Sequence, residues 1–283
     1  MIYRELYEKG RAGLTTAGIE EASLDARFLL EYVCHTNRND LLVHGDRPAD
    51  ETQVQQYLDC IERRRQRLPL QHITGEQIFM GLDFTVNEHV LIPRQDTEIL
   101  VEEVLKELHD GMRILDMCTG SGCILISLMH YSNGCQGVGA DISEAALDVA
   151  RANAVRLLGT GASADAAAFV HSDLFENISG KFDVIVSNPP YIRSAMIPTL
   201  QPEVKDHEPM QALDGTASGL YFYERIVSES RAYLMRGGRL YFEIGHDQGR
   251  EVSELMRNAG FVEIAVVKDY ADLDRVVYGT YIG

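Results

Sequence analysis

The sequence predicts an α/β protein in which a small helical bundle precedes a largely parallel sheet with helices on both faces. Three observations carry that prediction. The chain has 283 residues, and at about 150 residues per domain this length suggests two domains. Residues 1–67 place their apolar side chains at helical spacing. From Arg113 onward, short apolar runs alternate with amphipathic stretches, the pattern of βα units.

In the N-terminal part, Ser23 offers an N-cap to a helix whose apolar positions Leu24, Phe28, Leu29, Tyr32 and Val33 recur at helical spacing. A second helix runs from Asp50 to Leu68 through Val54, Tyr57, Leu58 and Ile61, and stops at Pro69. Residues 77–86 read as a short hairpin turning at Gly81 and bridging two domains, and 98–108 as a helix. Strands are expected at 113–116, 136–140, 167–171, 182–187, 238–244, 261–267 and 275–282. Helices are expected near 122–131, 143–157, 218–234 and 248–259. The implied domains are 1–70 (helical), 71–90 (hairpin linker) and 91–283 (sheet).

Composition narrows the function classes. No apolar run approaches the roughly 18 residues a membrane helix needs. The stretch from Met1 to Lys9 lacks an apolar signal core, so the expected location is cytoplasmic and no membrane partner is expected. The net charge is −17, of which residues 71–283 carry −15 and residues 1–70 only −2. Binding to nucleic-acid phosphates needs positive potential, so a nucleic-acid substrate is disfavoured. The one basic run, Arg63-Arg64-Arg65 with Arg67, is read as a solvated helix end where cations suit the macrodipole. Five cysteines without a C-x-x-C pair, and histidines without H-E-x-x-H spacing, give neither a disulfide framework nor a metal site.

Two loops carry chemistry. The run Ile114-Leu115-Asp116-Met117-Cys118-Thr119-Gly120-Ser121-Gly122-Cys123 reads as strand, tight glycine turn, helix. Small residues let a ligand approach the backbone, and the helix start offers free N–H groups. Asp141 ends the next strand, where a carboxylate can accept hydrogen bonds from both hydroxyls of a ribose. A dinucleotide loop would want a third glycine where this chain has Leu125, so pyrophosphate docking is not supported.

The second loop is Asn188-Pro189-Pro190-Tyr191, delivered at the carboxyl end of strand 182–187, where open α/β sheets place active sites. The nitrogen of an amide or aromatic amine is a poor nucleophile because its lone pair is delocalised. The Asn188 side-chain carbonyl can accept one of its N–H groups and the Pro189 backbone carbonyl the other, holding the nitrogen in line with an electrophilic methyl. The prolines stiffen the loop and bring no competing N–H, and Tyr191 offers a flat face to a planar substrate.

With both loops in view, the sequence resembles class I S-adenosylmethionine-dependent methyltransferases that act on planar amino groups. It resembles most specifically the release factor glutamine methyltransferase, or protein-(glutamine-N5) methyltransferase, family. The likeness runs over nearly the whole chain, through Gln71-His72-Ile73-Thr74-Gly75-Glu76, Gly81-Leu82-Asp83-Phe84, Leu91-Ile92-Pro93-Arg94-Gln95-Asp96-Thr97-Glu98, Glu208-Pro209, Glu243-Ile244-Gly245 and Asp274-Arg275-Val276-Val277. N-P-P-Y alone is shared by several amino-methylating families; the linked set is far more specific. The resemblance implies a seven-stranded class I methyltransferase (Rossmann-like) domain behind an N-terminal helical bundle; residues 1–70, which lack the cofactor motifs and form a separate bundle, are expected to contact the protein substrate. It implies S-adenosyl-L-methionine as cofactor, and as substrate the glutamine of the Gly-Gly-Gln motif in class 1 peptide chain release factors. It also assigns residues. Asp116 with Cys118, Thr119, Gly120, Ser121 and Gly122 forms the cofactor loop, Asp141 holds the ribose, Asp173 and Leu174 flank the adenine, and Asn188 to Tyr191 hold the glutamine amide.

This chain departs from the family pattern in places. Cys118 stands at the first glycine of D-x-G-x-G-x-G and is read as a tolerated small replacement. Leu174 fills a position that is often aromatic, and Gln95-Asp96 and Asp272-Leu273 replace the commoner Pro-Glu and Gly-containing forms. Glu98, Asp173 and Glu243 are read as structural or cofactor-orienting carboxylates. Two rivals remain at this point. One is an adenine-N6 DNA or RNA methyltransferase, which should bring a basic target surface. The other is a non-catalytic methyltransferase-like scaffold, which intact glycine, acid and N-P-P-Y elements oppose.

Overall fold

The alternation of apolar runs and amphipathic stretches becomes a seven-stranded sheet in the computed structural model, which describes residues 1–159 and 166–283. The strands are β3 (Arg113–Met117), β4 (Gln136–Asp141), β5 (Ala167–His171), β6 (Phe182–Ser187), β7 (Leu234–Glu243), β8 (Phe261–Lys268) and β9 (Asp274–Tyr281). Their order is β5-β4-β3-β6-β7-β9-β8. The five strands from β5 to β7 are parallel, and β9 runs antiparallel to both of its neighbours. The chain winds outward from β3 in both directions, so the topological switch point lies between β3 and β6. Their last residues pair there, Met117 with Ser187. The loops that follow these two strands therefore leave the sheet side by side at its carboxyl edge, the place where such sheets bind ligands.

Apolar layers cover both faces. On one, α6 (Gln95–Leu105) and α7 (Cys123–His130) bring Leu100, Val101, Val104, Leu125 and Leu128 onto Ile114, Val184 and Val186. Every residue of α7 from Cys123 to Met129 is buried, so this helix is apolar nearly all round. On the other, α11 (Tyr221–Ser230) and α12 (Gly249–Asn258) bring Tyr223, Ile226, Val252 and Met256 onto Leu115, Ile185, Leu240 and Phe242. The hairpin β1 (Glu76–Phe79) and β2 (Leu82–Thr85) turns through Met80 and Gly81, both at positive φ. Glu98 fixes that turn by accepting the Met80 N–H at 2.6 Å, which makes it a structural carboxylate.

The chain divides into two compact units. The larger is Gln77–Leu200 with Glu208–Gly283; the smaller is Met1–Glu76 with Gln201–His207. The smaller unit packs α1 (Tyr3–Thr16), α2 (Ala22–Cys34) and α4 (Glu51–Arg65) around Leu6, Leu14, Leu29, Leu30 and Tyr57. Asp50, expected as the first helical residue, instead caps α4 with a full capping box, and the helix ends at Arg65, short of the expected Leu68. Ser23 does not cap α2. The helix starts one residue before it, at Ala22, with Glu21 as N-cap and no side-chain bond. Ala22 is 5% exposed in the bundle core, and its burial extends the helix past the expected cap.

The basic run also differs from a solvated helix end. Arg64 is 8% exposed and donates to Asp25 at 2.7 Å and to Glu203 at 2.9 Å. Arg67 donates to Glu203 and to the carbonyls of Ala17 and Gly18. These ion pairs tie Glu203 of the segment Gln201–His207 to the helices of the smaller unit, and they remove two of the four arginines from any basic surface. Elsewhere the differences are of extent. α6 begins three residues earlier than expected, β7 begins four residues earlier, and α11 is shorter at both ends. Among the described residues no helix is long and apolar enough to cross a membrane.

Candidate active site

The loop after β3 is built around Asp116. Its side chain is fully buried; Oδ2 accepts the Thr119 hydroxyl at 2.6 Å and the Leu125 N–H at 3.3 Å, while Oδ1 has no partner among the described residues. Burial, the dominant cause, pushes this carboxyl up to about 7. Asp116 thus ties the loop to the start of α7 from beneath. Cys118 follows at φ 63°, a left-handed conformation that explains why glycine suits this position. Its thiol is held well above its ordinary range, first by burial and then by the carboxylates of Asp141 and Asp116. A thiol held in its protonated form is a poor nucleophile.

The two glycines do different work. A Cβ on Gly120 would meet nothing within 4 Å, so this residue faces open space. A Cβ on Gly122 would stand 2.8 Å from Ile126 and 3.2 Å from Ala150, so this residue lets α7 and α8 (Glu144–Leu158) approach. Asp141 closes the loop from β4, accepting the Gly120 N–H and the Ser143 N–H, each at 2.9 Å. Burial raises its pKa against those bonds.

Asn188 leaves β6 with Nδ2 3.4 Å from the Thr97 hydroxyl on the first turn of α6. Pro189 and Pro190 are buried behind it. The Tyr191 hydroxyl donates to Glu243 Oε1 at 3.2 Å, and burial and that carboxylate raise the phenol's pKa. Glu243, at the end of β7, is 2% exposed; burial raises its pKa against Thr97, Arg275 and Tyr191. Gln248 clasps the far side of the loop: Nε2 donates to the carbonyls of Tyr191 and Gly219, both at 3.1 Å, and Oε1 accepts the Gly245 N–H at 2.9 Å.

These elements surround a cavity of about 690 Å³. Of the residues singled out in the sequence, Cys118, Thr119, Gly120, Ser121, Asp141, Asp173, Leu174, Asn188 and Pro190 line it. Asp116, Gly122, Pro189 and Tyr191 stand behind the wall, the first two organising the loop and the last turned toward Glu243. Asp173 is half-exposed and paired with Arg225 at 2.8 Å. Sequence reasoning gives no role to Arg94 or Thr97, which also line the cavity. Arg94 Nη2 sits on both oxygens of buried Glu208, at 2.7 and 2.8 Å. Both residues lie in the Leu91–Glu98 run, which the resemblance already marks.

The cavity fits a nucleoside-sized ligand. Its volume is in the usual range for small-molecule sites, the open face of Gly120 would be filled by a side chain on any other residue, and the Asp141 carboxylate lies on the wall. The sheet order, with a glycine loop on β3, an acid ending β4 and Asn-Pro-Pro-Tyr on β6, defines a class I methyltransferase. A methyltransferase from Pyrococcus furiosus shares the fold, with a TM-score of 0.53 at 16% identity over 72% of this chain and 91% of that one. Two family models match: "PrmC N-terminal domain" over residues 5–75 and "Methyltransferase small domain" over residues 94–200. A release factor glutamine methyltransferase of Clostridium acetobutylicum is 43% identical over 258 residues, spanning 89% of each chain. One of Caulobacter vibrioides is 41% identical over 270 residues, spanning 94% of this chain and 92% of the other. The chain belongs to the release factor glutamine methyltransferase family.

Proposed function

We propose that this enzyme transfers a methyl group from S-adenosyl-L-methionine to the side-chain N5 of the glutamine in the Gly-Gly-Gln motif of class 1 peptide chain release factors. The observation that carries the reading is the pairing of Met117 with Ser187, which opens the glycine loop and the Asn-Pro-Pro-Tyr loop into one cavity. Cys118 to Ser121, Asp141, Asp173 and Leu174 form the cofactor wall; Asn188 and Pro190 line the amide wall, and Pro189 and Tyr191 back it from the same loop. When bound, S-adenosylmethionine supplies an electrophilic methyl carbon on a cationic sulfonium. Asp141 accepts ribose hydroxyls with the lone pairs its two backbone bonds leave free. Asp141, Asp173 and Asp214 give the cavity an acidic wall that favours a cation.

Asn188 Oδ1 and the Pro189 carbonyl accept the two hydrogens of the glutamine amide. Their hold strengthens as the nitrogen becomes positive, so they favour the transition state over the bound substrate. The methylated nitrogen then loses one proton to solvent, and no strong base is required beforehand. Recognition of the protein substrate is assigned to the helical domain, residues 1–70, which the hairpin linker 71–90 joins to the methyltransferase domain 91–283. In support, α2 exposes Leu24, Phe28 and Tyr32 along one face, at 38, 39 and 45%. The acidic sheet domain and the internal pairing of Arg64 and Arg67 favour this reading over an adenine-N6 methyltransferase. Incubating the protein with labelled cofactor, a release factor and duplex DNA tests it: label in the release factor alone is expected, and label in DNA alone would promote the rival.

A further inference from the structure

Neither Pro189 nor Pro190 has an N–H, so between Asn188 and Tyr191 the loop's own main chain offers no donor with which to hold itself. Yet the direction of the Pro189 carbonyl is set by the path the chain takes from Asn188 to Tyr191. That path is held from outside the loop, at Tyr191. The Tyr191 hydroxyl is tied to Glu243, and its carbonyl is tied to Gln248. Gln248, which precedes α12, is 2% exposed and stands outside the cavity lining. Its Nε2 donates to the carbonyls of Tyr191 and Gly219, both at 3.1 Å, and its Oε1 accepts the Gly245 N–H at 2.9 Å. All three partners are main-chain groups whose roles cannot reverse, since a carbonyl only accepts and an N–H only donates. The Gln248 amide therefore has one possible orientation, with both of its hydrogens in use. The Tyr223 hydroxyl, which donates to the Glu243 carbonyl at 2.9 Å, stands 3.5 Å from the same Oε1. Two glycines let these parts close on one another. A Cβ on Gly219 would stand 2.6 Å from the Tyr191 oxygen and 2.8 Å from Gln248 Nε2, and one on Gly215 would stand 2.7 Å from the Tyr191 main chain.

We propose that Gln248 is a positioning residue for methyl transfer: by holding the Tyr191 carbonyl it fixes the Asn-Pro-Pro-Tyr loop in the pose that presents the Pro189 carbonyl to the substrate amide. The proposal rests on the reading of that loop as the amide wall. Gln248→Glu keeps the shape and replaces the NH2 by an oxygen that faces two carbonyls. Turnover on a release factor is expected to fall on the order of 10²-fold near pH 8, the scale of a displaced positioning group. Calorimetric affinity for S-adenosylmethionine should stay within about twofold of the wild type, as for an independent site. A buried carboxyl beside two carbonyls titrates above its ordinary range, and once protonated its O–H can donate to one of them while the other oxygen keeps the Gly245 N–H. The deficit relative to the wild type should therefore narrow at least about fivefold between about pH 8 and about pH 6. Gln248→Met, which has no donor, should be slow at every pH. A loss of general structural origin would not recover in acid. A pH-independent deficit in Gln248→Glu, wild-type turnover in either variant, or a fall in cofactor affinity large enough to explain the lost turnover would each overturn the proposal. Gly219→Ala presses on the same bond from the other side and decides the matter if Gln248→Glu does not fold: slow turnover with cofactor affinity kept is expected, and normal turnover would overturn the proposal. A wild-type protein that leaves the release factor unmethylated would instead defeat the substrate assignment. Nuclear magnetic resonance of the full-length protein would then still decide the clamp: the Gln248 NH2 signals, assigned by their absence in Gln248→Glu, should be protected from exchange, and unprotected signals would overturn it.

Discussion

Replacing Asp116 with asparagine should make this protein more stable in mild alkali and less stable in acid. Asp116 is fully buried and its carboxyl is pushed from 3.8 to about 7. Between those values the folded protein keeps a proton that the unfolded chain has released. The favourable contribution is complete below the unfolded value and is lost as the pH rises through the folded one. At about 1.4 kcal/mol per unit, the loss across the whole interval is about 4 kcal/mol. The introduced amide could still accept from Thr119 and Leu125, but its NH2 would take the place of an oxygen that has no partner among the described residues. An unpaired buried donor costs about 1–3 kcal/mol. Asp116→Asn should therefore gain about 1–3 kcal/mol near pH 8 and lose a similar amount near pH 4, with the two stability curves crossing between. For a unit of this size each kcal/mol moves the melting temperature by about 2–4 °C. Calorimetric melting of both proteins from about pH 5 to about pH 8 should show their difference changing by roughly 3 kcal/mol. Parallel curves would refute the claim that Asp116 is a desolvated carboxyl organising the loop from behind.

Three further outcomes are expected. Cys118→Gly and Cys118→Ala should remain active; the glycine form relieves a left-handed residue worth about 1–2 kcal/mol against a comparable backbone entropy cost, and a dead Cys118→Ala that still folds and binds cofactor would show a chemical role for the thiol. Asp141→Ala should weaken S-adenosylmethionine binding by about 1–3 kcal/mol in a calorimetric titration, and equal affinities would remove Asp141 from the site. In the helical unit, Asp25→Ala strands part of the buried Arg64 guanidinium; a loss of about 3–5 kcal/mol is expected, and an unchanged melting temperature would show that Glu203 alone suffices.

The sheet is legible in the sequence because each strand is a short apolar run closed by small or polar residues, and every expected strand is present. The sequence places the start of β7 four residues late because Arg236-Gly237-Gly238 looks like a turn; the strand absorbs the glycines through a register shift against β6. The two chemical loops are legible because their spacing relative to a strand end is local information. The parts that escape are long-range. Thr97 meets Asn188 across 91 residues of sequence, and Arg94 meets Glu208 across 114. Arg64 looks like one solvated arginine among four until Asp25, 39 residues away, and Glu203, 139 away, enclose it. No local pattern distinguishes such residues from their neighbours.

The central claim is that Asn188 and Pro189 hold a glutamine amide for methyl transfer, and the most direct measurement is where the methyl goes. Peptide mass spectrometry of a release factor incubated with S-adenosylmethionine should find one added methyl on the side-chain nitrogen of the Gly-Gly-Gln glutamine with wild-type protein. Asn188→Ala should slow that transfer on the order of 10²–10³-fold, as loss of one transition-state acceptor does, while largely sparing cofactor affinity. A methyl found on another residue of the release factor, or on adenine in DNA with none on the glutamine, would contradict the account.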